Sequence, residues 1–445
     1  MPSWALVELR DGEFHIEVGK NAPCATEDFA MDKYRLEDVD CYRFWMKDYF
    51  LNSRHAYFLC EPEEGAEAKR AAEGKKKGGS KFGKQKEKDK EVPKSVKETV
   101  LIVVRLGDEE RGEPSYVMAY HRHGTARVQC SQSSTKQLEW FLRKSPFIKN
   151  LSLQGVRPYL NGPLDRHMLQ WERGSVQRAF KFGVVYVANG QKAENDFYSN
   201  ERGSDEFRAF LARLGNIVPL KGHVGYRAGL NVTQNLTGFL SVYNTLAFNE
   251  DGEMLYDLTS NPTLEDTDPN TLKFQMEIMF HVSTFLPFSP DNEQQLNRKR
   301  HIGNDVCVVV FKERSNTGLD ESGKPKEANE AVPVGQFTSQ FNHVFIVVTP
   351  WKFKGGRTTH YKVAVCSKDG VRPCRPYLPK NGILSLRKFT PWILAKLINC
   401  ERSAMYAKAF SGKEARTNAA MMAEAIAITT NRSSASLKKK NISEN

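Results

Sequence analysis

The chain has 445 residues, 40% hydrophobic and 11% aromatic: enough for two or three domains with cores of their own, with no apolar run near the ~20 residues that cross a bilayer. Its formal charge of +12 invites a nucleic-acid reading, but residues 69–97 alone hold twelve Lys/Arg against four Asp/Glu, and with only Phe82 as an aromatic they offer no stacking platform. Eight cysteines without paired spacing imply reduced thiols in cytosol rather than a disulfide framework.

Residues 4–9 alternate like a strand, and residues 14–18 do so again across an Asp11-Gly12 turn, the pattern of a β-hairpin. Glu8 and Arg10 interrupt the apolar stretch a secretory signal would need, and the C-terminus carries no prenylation box, so a cytoplasmic protein is expected. An aromatic-dense segment follows: Tyr42, Phe44, Trp45, Tyr49, Phe50, Tyr57 and Phe58. Those rings require cover from the domain's own core or from a second subunit. Residues 62–97 read as a disordered Lys-rich insert. Within it, Gly78 to Lys84 imitates the start of a phosphate-binding loop. Gln85 stands where the magnesium-ligating hydroxyl belongs and no strand precedes it, so no nucleotide site is expected.

Strands are predicted over 99–105, 116–120 and 126–130. His121 and His123, between the last two, lack the further ligands a metal needs. Residues 134–144 have the pattern of a short amphipathic helix, and the Pro-rich stretch 146–163 reads as a loop and domain boundary. The expected first unit is therefore an α+β N-terminal domain over 1–165.

Beyond it, strands and helices alternate, which argues for an α/β sheet covered by helices. Strands are expected at 182–188, 217–220, 277–284, 341–349 and 361–367. A helix at 204–214 is capped by Ser204 and ended by Gly215, and a long helix is expected over 391–410. Residues 249–270 read as a surface insert, residues 225–231 as a glycine-spaced turn, and residues 426–445 as a disordered tail. The catalytic-type domain would span 166–425. His281 and His343 sit inside strand-like runs and read as satisfied core histidines, and Cys366 and Cys374 as ordinary thiols.

The stretch 294–311 stands apart. Residues 294–300 are good helix formers, with Ser289 or Asp291 available as an N-cap. Residues 306–311 form an apolar β-branched run without alternation, typical of a strand covered on both faces. Between them lie His301, Gly303, Asn304 and Asp305. Helical spacing would put an imidazole, an amide and a carboxylate on one side. An amide does not titrate, yet it donates and accepts hydrogen bonds together, which suits orienting a water for attack on a phosphoryl group. From the residues alone, Asn304 reads first as a helix C-cap before a strand, and Arg298 and Arg300 are rivals as arginine fingers.

The string Gln294-Gln295-Leu296-Asn297-Arg298-Lys299-Arg300-His301-Ile302-Gly303-Asn304-Asp305 resembles the signature of the Rap GTPase-activating proteins, the Rap/Ran-GAP domain family that includes tuberin. Further similarity runs in order along the chain, at residues 180–186, 207–215, 225–227, 237–238, 241–243, 278–284, 341–344 and 394–399. Weaker similarity at residues 42–59 resembles the dimerising part of Rap-type members. The resemblance implies an α/β fold: a G-domain-like catalytic domain with a mixed sheet flanked by helices, preceded by the α+β dimerisation-type domain. It implies a GTPase-activating protein for a GTP-bound, Rap-like small GTPase, with GTP and magnesium held by the partner and no cofactor or metal of its own.

By the same resemblance Asn304 is the catalytic "asparagine thumb", supplied in trans. His301 fixes the helix and contacts the partner, and Arg298, Lys299, Arg300 and Asp305 form the partner-binding surface. A homodimer, a weak contact of residues 69–97 with anionic membranes, recruitment from the cytoplasm and the absence of nucleic-acid binding complete the expectations. Alternatives are a catalytically silent GTPase-binding scaffold, or an activator of Rheb, Ral or another Ras-family GTPase. One departure is Ala228-Gly229-Leu230-Asn231, where the family has Gly-Gly-Leu-Asp.

Overall fold

The computed structural model describes residues 7–8, 14–17, 34–51, 53, 55–60, 99–105, 107, 111–122, 124–130, 162–255, 274–314, 331–351 and 358–442. The insert at 62–97 with its imitation phosphate loop, the helix expected at 134–144, most of the 146–163 loop and most of the 249–270 insert lie outside these residues. The chain divides into two compact units: Met1–Tyr42 with Gln177–Phe410, and Arg43–Val176 with Ser411–Asn445. The boundary expected at 165 is thus corrected, because the first 42 residues belong with the larger unit and the C-terminal segment with the smaller.

Strands β1 (Val7–Glu8) and β2 (Phe14–Ile16) open the chain. In the smaller unit β3 (Ala56–Cys60), β4 (Val100–Arg105), β5 (Ser115–His121) and β6 (Gly124–Cys130) form an antiparallel meander in sequence order. Helix α1 (Pro163–Ser175) starts with proline, whose missing N–H costs nothing there. Part of the aromatic segment is covered within this unit: Trp45, Met46, Phe50 and Tyr57 pack with Leu101, Met118, Leu164 and Trp171. Phe44, Tyr49 and Phe58 are half-buried, and Tyr42 belongs to the core of the larger unit. The Glu172 carboxylate accepts the amides of Met46 (2.8 Å) and Lys47 (3.3 Å), which satisfies the start of the turn carrying those rings.

The larger unit continues with β7 (Ala179–Val187), α2 (Glu194–Tyr198), α3 (Asp205–Leu214), β8 (Asn216–Pro219), β9 (Leu240–Phe248), β10 (Phe274–Val282), α4 (Leu296–Ile302), β11 (Cys307–Lys312), β12 (Val332–Pro333), β13 (Val344–Trp351), β14 (His360–Lys368), β15 (Ile383–Ser385) and α5 (Leu386–Ala404). Its sheet runs β15-β14-β13-β11-β7-β10-β9-β8, with β2 also paired to β14. The four central strands β13, β11, β7 and β10 are parallel and the flanking ones antiparallel. Helices α3 and α5 cover one face, over Phe182, Val184 and Val309. Phe197 and Tyr198 of α2 and Ile302 of α4 cover the other, over Val185, Val308 and Val310.

β11 is buried at every position, as a β-branched run without alternation requires. Ser204 caps α3 by accepting the Phe207 amide at 3.2 Å, as read from sequence. Three expectations are corrected. β1 and β2 do not pair with each other: β1 runs parallel to β12 and β2 antiparallel to β14, because long-range edges capture both. The helix expected from Pro391 begins at Leu386 and carries Pro391 inside. The tail expected to be disordered is helical as α6 (Lys408–Ile442), consistent with its Ala- and Lys-rich composition.

Candidate functional site

The site starts from a glycine. At Gly183 in central strand β7, a Cβ would lie 2.8 Å from Ile302 Cγ2 and 3.3 Å from an Asp305 carboxylate oxygen. The missing side chain lets the end of α4 sit directly on the sheet, where Ile302 is buried. The helix begins at Leu296, behind Gln295, whose backbone is left-handed (φ 46°). That conformation is disfavoured for a non-glycine residue, and the Gln295 side chain compensates by bonding Ser289 O at 2.7 Å and Asn292 O at 2.6 Å. The N-cap is therefore Gln295, rather than Ser289 or Asp291.

Past Ile302 the chain turns tightly, and its carbonyls are held from several sides. Ser339 Oγ donates to Gly303 O at 2.5 Å, and Asn342 Nδ2 to Ile302 O at 3.0 Å and Asp305 O at 2.6 Å. Lys181 Nζ donates to Asn304 O at 2.8 Å and lies 3.3 Å from Asp305 Oδ1. Asp305 Oδ2 is 2.8 Å from His281 Nδ1, whose other nitrogen lies 3.0 Å from Ala228 O. Asn304 is exposed at the tip of this arrangement. Its Nδ2 donates to Arg300 O at 2.7 Å, a capping bond of the kind expected at a helix C-terminus. Asn304 therefore caps the helix, as one sequence reading has it, and its amide faces solvent from a braced backbone.

Two residues expected at the docking surface are corrected. Arg298 is 1% exposed and donates to Leu286 O (3.2 Å), Tyr198 O (2.6 Å) and Asn200 O (2.7 Å). It ties α4 to the C-terminal end of α2, where the helix dipole favours a cation. Asp305 is fully buried against His281 and Lys181. Lys299 is half-buried and pairs with Glu194 Oε2 at 3.2 Å. What α4 turns outward is Leu296, Asn297, Arg300 and Asn304, a stripe with helical i, i+4 spacing. Arg298→Ala is accordingly expected to lower folding stability by on the order of 3 kcal/mol, since three carbonyls, two of them buried, lose their donor. Arg300→Ala should leave stability unchanged. Equilibrium urea unfolding of both variants checks this, and equal stabilities would refute the division.

His301 is half-buried beside His281, with ring centroids 5.3 Å apart. Its pKa is pushed from 6.5 down to about 4, first by burial and then by the His281 ring, with Asp305 opposing and Arg300 and Lys181 reinforcing. The unfolded chain then binds the extra proton between those two values, so this group makes stability fall as pH drops from 6.5 towards 4. Glu401, raised by burial to about 7, acts in the opposite sense between 4.5 and 7, so the clean readout is the histidine itself. An NMR titration should place the His301 midpoint well below 6.5; a midpoint at or above that value would remove the neutral imidazole from the site.

Asn231, the departure from the family pattern, accepts the amides of Thr233 (3.2 Å) and Gln234 (2.6 Å) through Oδ1. An amide oxygen serves that turn as a carboxylate would. Of the bracing residues, His281 reads from sequence as a satisfied core histidine and is one: it is buried, with Asp305 and Ala228 O as partners. Lys181, Gly183, Ser339 and Asn342 were not singled out as site residues. The signals for the first two were a charged residue and a glycine in apolar strand β7, which read as packing until the tertiary contacts are known. Among the described residues no cluster of His, Cys, Asp and Glu could hold a metal ion, and no helix is long and apolar enough to cross a membrane.

Two segments, residues 197–273 and 258–419, match the protein family described as Rap/ran-GAP, and together they span half of the sequence. The "GTPase-activating Rap/Ran-GAP domain-like protein 3" of Gallus gallus is 28% identical over 414 residues, 92% of this chain and 37% of that protein. A "PH and Rap-GAP domain-containing protein" of Dictyostelium discoideum is 34% identical over 260 residues, 58% of this chain and 18% of that protein. The "Signal-induced proliferation-associated 1-like protein 2" of Homo sapiens is 29% identical over 396 residues, covering 86% and 19%. Among solved structures, "Structure of the TSC2 GAP domain" is 26% identical with a TM-score of 0.35, covering 51% of this chain and 96% of that one. The chain spans about a third of the length of the first of these curated relatives.

Proposed function

This chain belongs to the Rap/ran-GAP family, and on that premise we propose that it stimulates GTP hydrolysis by a Rap-like small GTPase, with Asn304 as the group it contributes. The observation that supports this reading most is the placement of Asn304. Its backbone is braced through Lys181 and Asp305, its amide nitrogen is bonded to Arg300 O, and its side chain is exposed. The amide oxygen is then the atom positioned to accept a hydrogen bond from a water in the partner's active site. Holding that water in line with the γ-phosphate lowers the barrier without any proton being taken by the amide.

Arg300 supplies an exposed cation beside the amide, suited to the acidic surface of a nucleotide-loaded partner. His301, neutral at physiological pH, packs behind the tip and offers a polar edge rather than a charge. Arg298 and Asp305 serve by holding the tip in place. GTP and magnesium belong to the partner. Homodimerisation through the smaller unit, a cytoplasmic location and a weak contact of residues 69–97 with anionic membranes are part of the same proposal.

A single-turnover GTP hydrolysis assay over Rap, Rheb, Ral and Ran proteins tests the reading and selects the substrate. Acceleration of at least one of them is expected, with Rap-type proteins the strongest. Binding to a GTP-loaded partner at its unaltered intrinsic rate would instead identify a silent scaffold.

A further inference from the structure

The segment from Leu220 to Leu240 folds back on itself: Gly222 N donates to Val232 O at 2.9 Å, Leu230 N to Arg227 O at 2.8 Å and Asn231 N to Thr237 Oγ1 at 2.7 Å. It is pinned beside α4 in two places. At one, Ala228 O lies 3.0 Å from His281 Nε2, and the opposite nitrogen of that ring reaches Asp305, next to Asn304. At the other, a Cβ on Gly238 would lie 2.3 Å from Phe285 O, and the adjoining Leu286 O accepts Arg298 of α4. The segment is therefore linked to α4 twice, through His281 at the Asp305 side and through Phe285-Leu286 at Arg298.

It turns large apolar side chains outward. Val224 is 99% exposed, Leu236 67% and Phe239 70%, and Leu296 on α4 is itself 55% exposed. A contiguous exposed apolar patch marks an interaction surface, and Val224, Leu236 and Phe239 lie on one folded-back segment. The charge is one-sided: no Asp or Glu occurs between Glu206 and Glu250, while Lys221 and Arg227 are exposed. A specific protein partner needs about 800 Å² on each side, far more than a seven-residue helix can present. A body that brings a nucleotide to Asn304 must extend beyond α4, and this segment is the wall beside it.

We propose that Val224, Leu236 and Phe239 continue the outward stripe of α4 into one docking surface for the GTP-loaded GTPase, which meets it with an apolar patch rimmed by carboxylates. The inference rests on the GTPase-activating reading and deepens it by assigning recognition to residues outside α4.

The test is single-turnover hydrolysis at increasing concentrations of the chain, with the panel GTPase that responds. In the variant Val224→Asp/Leu236→Asp/Phe239→Asp the half-saturating concentration should rise at least about tenfold while the rate at saturation is kept. The serine triple variant should shift it in the same direction by less. It is also the one to use should the aspartate variant lose its unfolding transition. An unchanged half-saturating concentration in a folded variant overturns the proposal. So does unchanged hydrolysis with lost co-sedimentation on phosphatidylcholine–phosphatidylserine vesicles, which would reassign the surface to a membrane. Failure of the underlying reading looks different: the unsubstituted chain would accelerate no GTPase of the panel, and the docking proposal would fall with it.

Discussion

Asn304→Ala is expected to lower GAP-stimulated hydrolysis by about 10³–10⁵-fold, the range lost when a transition-state-completing group is removed from a GTPase active site. Affinity for the GTP-loaded partner should persist. The exposed stripe of α4 keeps Leu296, Asn297 and Arg300, and the variant removes only one small amide. On the proposed reading the loss falls on rate, because the amide would act on a water that is aligned only when the complex has formed. Stability should change little. The bond from Asn304 Nδ2 to Arg300 O is exposed, and an exposed cap contributes at most about 1 kcal/mol. Stopped-flow measurement of rate and binding on one GTPase separates the two effects. Should Arg300→Ala abolish stimulation while Asn304→Ala spares it, an arginine finger replaces the amide. A null Arg298→Ala has a different meaning, since that residue is buried and its loss acts through the position of α4.

Asp305→Ala carries a large expected cost to the fold. Its carboxylate is fully buried, 2.8 Å from His281 Nδ1 and 3.3 Å from Lys181 Nζ. Removing one member of a fully buried ion pair costs about 3–5 kcal/mol. The Lys181 side chain is 32% exposed, so the expected cost here is lower, about 2–3 kcal/mol, and comes chiefly from His281 and the buried polar contacts left behind. Here the Lys181 ammonium would lose its counter-charge and His281 its anchor, while Lys181 would hold the backbone of Asn304 alone. Activity should fall together with stability. Urea unfolding combined with the hydrolysis assay checks both. A folded variant within 1 kcal/mol of the parent chain would show that the carboxylate is not the brace described here.

Much of the site's local form was legible in the residues themselves. The apolar run 306–311 had to be a covered strand, and it became β11 at the centre of the sheet. Ser204 and Gly215 bracket α3 because capping chemistry is local. The stretch 294–305 was legible as a helix-to-strand junction that shows an asparagine to solvent. Other features depended on distant partners. The N-terminal strands found separate edges, because two hairpin arms and two sheet edges offer the backbone the same hydrogen bonds and only long-range packing chooses between them.

The string Arg298-Lys299-Arg300 looks like one basic patch in sequence, yet its members have different fates. Successive helix positions are rotated by 100° about the axis, so Arg298 points into the core, Lys299 reaches α2 and only Arg300 is exposed. Asp305, adjacent to Asn304, is likewise turned inward because the absence of a side chain at Gly183 leaves room for it. The sequence by itself therefore determined which chemical groups stand at this junction and in what order. Only the tertiary structure decided which of them face solvent, because the direction of a side chain is set by the surface against which its helix packs.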